Sequence, residues 1–208
     1  RLLPHLRPVR IRVRVHTFDS FRYADYRRIW AASFCLSASA MLQAVIVGWL
    51  TYYLTQSALL TSLSLGLGTL PMLLVGPLGG LAADSWDRRK LLVALHAYQA
   101  AITIGFCAIV LLDRVQTGHI FGFILLMGMS WVMTGPARTS LISNVVPREN
   151  LVNAFALNTL AMSFPSVGAP VLGGILLATV GAGPALLLQA ALHMVALGFA
   201  LGLSVKSF

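Results

Sequence analysis

The chain has 208 residues, of which 58% are hydrophobic and only 10% carry a charge. Soluble domains carry about 25% charged residues, and disorder requires low hydrophobicity, so a soluble enzyme domain and a disordered chain are both excluded. A membrane-spanning helix needs about 20 apolar residues, and most of this chain lies in charge-free runs of that length or longer. These runs, which lack Asp, Glu, Lys and Arg, are 29–83, 91–112, 115–137 and 150–205.

The leading segment, residues 1–28, is rich in arginine, and we expect it to be a basic cytoplasmic tail. A transit peptide is the alternative, because residues 1–15 contain no acid. Phe18, Phe21 and Asp25 fall at helical spacing just before the first apolar run. They predict a short interfacial helix.

The two longest runs must each turn once, because a single helix of either length would far exceed the thickness of a bilayer. The first run turns near residues 51–57 and the last near residues 181–184, where Gly and Pro break a helix. We therefore predict an all-α membrane protein whose domain, 29–205, holds six transmembrane helices. The predicted spans are about 29–54, 58–83, 91–112, 117–139, 151–179 and 184–204.

Basic residues are distributed unequally between the two sides that these spans define. Of the 15 Lys and Arg residues, only Arg114 falls on the side opposite the predicted tail. The positive-inside rule then places both termini in the cytoplasm. The net charge of +9 lies where cytoplasmic loops meet anionic headgroups, so we expect a lipid bilayer and no nucleic acid as partner.

Spans two and five share landmarks at equivalent positions. The same number of residues separates Pro71 from Pro165 and the pair 79–80 from the pair 173–174, both of which are Gly-Gly. Because these spans run in opposite directions, they predict a 3+3 inverted repeat of the kind found in secondary transporters.

The loop after span two carries the most informative motif. Gly79 and Gly80 remove side chains near a helix end, which lets another backbone approach closely. Asp84 is an acid at the membrane edge, costly there unless partnered, and Arg88 lies one helical turn further on.

This segment resembles the cytoplasmic loop motif of the major facilitator superfamily, although Ser85 stands where a basic residue is usual and Asp87 where Gly is usual. The resemblance implies a loop that joins two halves of a transporter and governs switching between inward- and outward-open states. In that reading, Asp84 faces a helix N-terminus in the other half. The implied conformational-switch loop comprises Gly79, Gly80, Asp84, Arg88, Arg89 and Lys90.

A second segment resembles the fifth-helix motif of exporter families, with Ala169 in place of the Gly that usually precedes Pro170. The resemblance implies a hinge and a seal against leak. The implied hinge residues are Pro165, Gly168, Pro170, Gly173 and Gly174.

Segments 26–30, 135–138 and 146–154 resemble the enterobactin-exporter and macrolide-efflux branch of the superfamily. This branch implies efflux across a bacterial inner (plasma) membrane. We expect Arg138, Arg148 and Glu149 in the cytoplasmic loop between spans four and five. Many proton-coupled antiporters of the superfamily carry an Arg within span four, and 115–137 contains none, which argues against proton coupling by that route.

The superfamily has about twelve spans, so the six predicted spans correspond to an N-terminal half. Either the second half is absent from this chain, or the protein acts as a half-transporter. In both cases we expect its partner to be a second six-helix half or a larger membrane complex.

Polar residues at mid-span are the candidates for a substrate cavity, because transport sites lie near the bilayer midplane. These are Gln43 on span one and Asn158 on span five, for which hydrogen bonding between helices is the alternative. His96, His119 and His193 are ionisable candidates for proton coupling. We expect His96 near the headgroups, His119 in solvent, and His193 on a span that in the superfamily lies outside the cavity.

The sequence contains no motif for metal binding, cofactor binding or catalysis. Cys35 and Cys107 lie inside predicted spans, and no Cys/His cluster has zinc spacing, so we expect no metal. No phosphate loop, nucleophile elbow or carboxylate pair is present, so we expect neither a cofactor nor an enzyme. The favoured interpretation is an exporter of a small amphipathic molecule that works by alternating access. The alternative is a transport-inactive six-helix accessory or structural subunit packed against a larger membrane complex.

Overall fold

The computed structural model describes residues 18–74, 76 and 87–204, and within these residues the structure is helical without any strand. The prediction of an all-α protein is confirmed for this part of the chain. Short 3-10 turns cover Asp19–Arg22 and Arg148–Asn150. The α-helices are α1 (Ala24–Thr55), α2 (Ala58–Leu67), α3 (Arg88–Leu111), α4 (Thr117–Val145), α5 (Leu151–Ser163), α6 (Pro165–Thr179) and α7 (Ala182–Leu201).

Within the part of the chain that the structure describes, five helical segments are long and apolar enough to cross a membrane. They are α1, α3, α4, the combined segment Arg148–Thr179, and α7. The sixth predicted span begins with α2, which is shorter, and continues as helix over 70–74. The rest of that span, with the tail before residue 18, lies outside the described residues. The 3+3 repeat therefore stays a prediction.

The long helices run in alternating directions, so their ends lie at the two opposite ends of the bundle. At one level, Nη2 of Arg89 at the start of α3 donates to the carbonyl of Leu201 at the end of α7, over 3.0 Å. The backbone N–H of Ser204 donates to Asp25 Oδ1 near the start of α1, over 3.1 Å. We call this level the basic end. The described basic residues at it are Arg22, Arg27, Arg28, Arg88, Arg89, Lys90 and Arg148.

Apolar side chains pack in two main clusters, one above the other. The cluster near the basic end includes Tyr26 and Leu141, which have no exposed surface. The cluster near the opposite end includes Ile46 and Leu186, which are equally buried. Buried polar residues on α1, α3, α4 and α7 lie at the level between the two clusters. This level is therefore the place inside the apolar bundle where a functional site can form.

The segment that crosses as α5 and α6 is interrupted at Phe164. Phe164 keeps right-handed helical angles (φ −55°, ψ −46°), and Pro165 begins α6. The chain therefore keeps its direction through the interruption, and the interruption falls at Pro165 because proline lacks a backbone donor and crowds the preceding turn. Farther along α6, a Cβ on Gly173 would lie 2.8 Å from Leu42 Cδ1, so α6 and α1 approach closely there. Gly174 meets nothing within 4 Å.

The start of α3 is fixed by its own N-cap. Oδ1 of Asp87 accepts hydrogen bonds from the backbone N–H groups of Arg89 (3.0 Å) and Lys90 (3.1 Å). A carboxylate at this position satisfies donors that have no partner within the helix. This local role accounts for an Asp where the loop motif usually has Gly.

We expect Asp87→Ala to lower the free energy of unfolding by about 1 kcal/mol, because it removes this cap. Asp87→Asn keeps an acceptor oxygen and is expected to remain near wild type. Thermal unfolding in detergent measures both, and equal losses in the two variants would show that charge rather than capping matters.

Candidate functional site: a buried polar centre

Buried polar side chains lie on four helices near the level where the two apolar clusters adjoin. Each is less than a tenth exposed, although these helices are otherwise apolar. We call this group the buried polar centre. Its members are Ser39 on α1, His96 and Gln99 on α3, Ser130 and Arg138 on α4, and His193 on α7.

The seam between α1 and α7 is held by polar pairs in register. Oγ of Ser39 and Nε2 of His193 lie 2.8 Å apart in a hydrogen bond. One turn away on both helices, Nε2 of Gln189 donates to Oε1 of Gln43 over 3.0 Å. Matched spacing on two antiparallel helices fixes their axial register, because a slip by one residue breaks both pairs.

A second polar contact joins α3 to α4. Nε2 of Gln99 donates to Oγ of Ser130 over 2.9 Å, and that hydroxyl donates to the carbonyl of Met127 over 2.7 Å. His96 precedes Gln99 by one turn and therefore lies on the same face of α3. It has no exposed surface.

His96 and His193 lie at one depth in the bundle. His96 is as far along the chain from Arg88, where α3 begins, as His193 is from Leu201, where α7 ends. The hydrogen bond between Arg89 and Leu201 places those two helix ends at one level. Because α3 and α7 pack against each other, the two histidines occupy the same level of one helix pair.

Several polar atoms of the centre have no hydrogen-bond partner. They are both ring nitrogens of His96, Nδ1 of His193, Oε1 of Gln99, and Nε and Nη1 of Arg138. Most buried polar groups in proteins are paired, and each exception requires an explanation. These atoms make the centre the first place to look for a function inside the bundle.

Arg138 is the charged member of the centre. It is only 8% exposed. Among the described residues, no carboxylate lies within ion-pair distance of it; the ion pairs there are Arg22–Asp19 and Arg28–Asp25.

The prediction that Arg138 lies in a loop is wrong. Helix α4 continues to Val145, because Leu141 and Ile142 in its last turns are fully buried. Arg148 and Glu149 do lie in the connection, in the exposed 3-10 turn before α5.

Gln43 lines a small cavity between α1, α2 and α4. The cavity has a volume of about 100 Å³, and its other polar side chain is Ser64. Gln43 is half-buried, whereas its partner Gln189 is fully buried and does not line the cavity.

Asn158 is not brought to this cavity. It is buried on α5, where its side-chain nitrogen lies 3.9 Å from Met162 Sδ on the same helix and its Oδ1 has no partner. The structure thus separates the two residues predicted to share a substrate cavity.

One of the three candidate histidines, His96, differs from expectation. His96 is enclosed by the bundle and does not lie near the headgroups, and His193 contacts α1 in the interior. His119 is exposed, and its Nδ1 accepts from the backbone N–H of Gln116 in the N-cap of α4. The spacing of His96, Gln99 and Thr103 on one face of α3 was a sequence signal for the centre.

Part of the predicted switch loop lies outside the described residues, namely Gly79, Gly80 and Asp84. Arg88, Arg89 and Lys90 form the first turn of α3. The hinge residues Gly168 and Gly174 are exposed on α6, whereas Gly173 is buried.

Comparison with known proteins identifies the family. A family model described as transmembrane secretion effector, within the major facilitator superfamily, matches residues 15–204. The chain belongs to this transmembrane secretion effector family. Its curated relatives include enterobactin exporter EntS of Shigella boydii serotype 4 and of Citrobacter koseri, each 30% identical over 163 residues. Both matches cover 75% of this chain and 38% of the relative, so the chain spans well under half the length of these relatives.

Proposed function

We propose that the protein exports a small amphipathic molecule across a bacterial inner membrane by alternating access. The observation that carries this proposal is membership of the secretion effector family over nearly the whole chain. The enterobactin exporters among its relatives supply the first substrate to examine, enterobactin.

The proposed architecture is six spans in a 3+3 inverted repeat with the basic end in the cytoplasm. It is supported by the alternating helix directions and by the concentration of described Lys and Arg at one end, as the positive-inside rule requires. In this proposal the loop from Gly79 to Lys90 controls the switch, and the bend at Pro165 with Pro170 acts as hinge. The second six-helix half of the transporter is the proposed partner.

Gln43 is proposed as a substrate contact because it combines a polar head with a position on a cavity wall. A residue whose only role is to pair two helices does not need to line a cavity.

The export function is tested in a bacterial strain whose own enterobactin exporter is deleted. Expression of the complete protein is expected to restore enterobactin in the medium. If neither enterobactin nor other amphipathic molecules in a transport screen leave the cell, while a co-purified membrane complex loses integrity without the protein, the accessory-subunit alternative holds instead.

We expect Gln43→Leu to raise the KM for export about tenfold, the effect of one lost hydrogen bond to substrate. Gln189→Leu is the matched control, because it breaks the same pair from the side that faces away from the cavity. Equal changes in both variants would assign Gln43 to helix packing.

A further inference from the structure

An apolar cavity lies beside the interruption between α5 and α6. It has a volume of about 330 Å³, which is the size of a small-ligand site. Every described residue that lines it is apolar. Phe164 and Leu172 on its wall are more than half exposed, so the cavity opens to the outside of the bundle. The lining residues that carry the argument are Phe34, Ala38 and Leu42 on α1, Gly168 and Leu172 on α6, and Leu192 on α7.

Aromatic rings connect this cavity to the basic end. Phe34 on the cavity wall stacks on Trp30, with the two ring centroids 5.8 Å apart. Trp30 in turn meets Phe21 edge-on at 5.3 Å, and its Nε1 donates to the carbonyl of Leu157 on α5. Phe21 belongs to the 3-10 turn just before α1. We call Phe21, Trp30 and Phe34 the aromatic track, because they lead from the basic end to the cavity.

Arg27 lies at the basic end of this track. It precedes Phe34 by seven residues, close to two helical turns, and therefore falls on the same face of α1. Its Nη1 donates to the carbonyl oxygens of Phe21 (2.7 Å) and Arg22 (3.4 Å). Among the described residues, no carboxylate lies within ion-pair distance of it. A cation without an ion-pair partner, next to an apolar cavity, is complementary to a molecule with an anionic head and a hydrocarbon tail.

We propose that Arg27, the aromatic track and the cavity form a binding site for one anionic phospholipid from the leaflet at the basic end. The phosphate pairs with the Arg27 guanidinium, and one tail lies along the aromatic track into the cavity. The site does not depend on which molecule the protein exports, or on whether it exports at all.

The dimensions of the site match those of such a lipid. Arg27 and Leu42 are about 22 Å apart along α1, given the rise per residue of an α-helix. The headgroups and the middle of a bilayer are separated by a similar depth, about 20–22 Å. A tail whose headgroup is level with Arg27 therefore reaches the far wall of the cavity. Gly168 leaves room for it, because a Cβ there would meet nothing within 4 Å.

The chemistry of the head and of the tail is also matched. Guanidinium groups bind phosphate through charge-assisted hydrogen bonds, often two at once. Basic residues next to a membrane span attract anionic lipids, whereas a zwitterionic lipid gains much less from them. The tail gains from leaving no empty space against the cavity wall, since a void costs its lining atoms their contacts.

The fluorescence of Trp30 tests the site in the complete protein. Every other tryptophan is replaced by Phe, and the protein is reconstituted into vesicles that mix phosphatidylcholine with phosphatidylglycerol. One of the two lipids carries brominated tails, which quench a tryptophan only on close approach. The dependence of quenching on vesicle composition gives the affinity of phosphatidylglycerol relative to phosphatidylcholine at Trp30.

We expect phosphatidylglycerol to bind about fivefold more tightly than phosphatidylcholine, the effect of one arginine near the membrane surface. Arg27→Gln should abolish this preference, because it removes the partner of the phosphate. Gly168→Leu should also lower it, because the new side chain fills the cavity that the tail would occupy.

Two matched variants control for charge and for bulk. Arg148→Gln removes the same charge from the exposed turn before α5. Gly174→Leu adds the same side chain to α6 at an exposed position that does not line the cavity. Both should keep the wild-type preference for phosphatidylglycerol.

A wild-type protein that binds the two lipids equally, or a preference that survives in both Arg27→Gln and Gly168→Leu, overturns the proposal. So does a Trp30 that neither brominated lipid quenches, because another part of the complete protein then covers the site. If the single-tryptophan protein does not fold, native mass spectrometry decides, on wild type and Arg27→Gln extracted from vesicles with equal amounts of the two lipids. One retained phosphatidylglycerol that Arg27→Gln loses supports the site, and equal retention of both lipids by the wild type contradicts it.

Discussion

For the export function proposed above, replacement of Asp84 by Asn is expected to reduce export to background while membrane insertion stays normal. The change removes one negative charge and almost no volume. In the proposed switch, the carboxylate holds a closed state through a helix N-terminus in the other half, and such a contact depends on negative charge. Export is measured in the exporter-deleted strain, and insertion by the amount and dispersity of protein extracted from membranes.

Asp87→Asn is the matched control for Asp84→Asn. It makes the same chemical change three residues away in the same loop, at a residue whose carboxylate caps α3 and whose Asn variant can still cap. Export should therefore persist in Asp87→Asn. Loss of export in both variants would show that the net charge of the loop matters and not Asp84 itself. Normal export by the Asp84→Asn variant would contradict a role of Asp84 in the switch.

Substitution of Gly128 by Ala is expected to lower the free energy of unfolding by about 3 kcal/mol, at the upper end of overpacking effects. A Cβ at this position would lie 2.6 Å from the carbonyl oxygen of Gly68 and 2.9 Å from Cγ of Pro71. Neither a backbone oxygen nor a proline ring can rotate away. The segment after α2 would have to separate from α4, and an SDS titration of the purified protein measures the loss.

Gly122→Ala on the same helix provides the comparison. A Cβ there meets nothing within 4 Å, and Ala is a better helix former than Gly by about 1 kcal/mol. This variant should therefore be as stable as wild type or slightly more stable. If both variants were equally destabilised, the close approach at Gly128 would not be the cause.

The helical fold was predictable because the charge-free runs are long enough to cross a bilayer. Inside lipid the backbone must satisfy its own hydrogen bonds, which a helix does within one segment. The end of α4 was not predictable in the same way. The charge-free run ends at Ala137 and the predicted span at residue 139, so the sequence favours a loop around Arg138, although the helix continues to Val145. Whether a charged residue ends a span depends on the helices around it, and a single sequence does not contain those contacts.

The buried polar centre was only partly predictable. His96 and His193 were recognised as ionisable residues in or near spans, but their depth depends on where the neighbouring helices begin and end. The pairing of Ser39 with His193 joins residues 154 positions apart, and only the packed structure gives this register. The sequence alone indicates Gln43 as a polar residue in the middle of a span. Its hydrogen-bond partner Gln189 on α7 is identified only once the register of the two helices is known.

The hydrogen bond from Ser204 to Asp25 joins positions 179 residues apart, which has a consequence for how the protein is made. Chains are synthesised from the N-terminus at roughly 5–20 residues per second, so α1 enters the bilayer seconds before α7 exists. During that interval Ser39 and Gln43 lack the partners that they have in the finished bundle. Helix α1 is thus inserted well before its polar contacts are complete, and a ribosome stalled before α7 leaves α1 with polar groups that neighbouring chains or a membrane chaperone can capture.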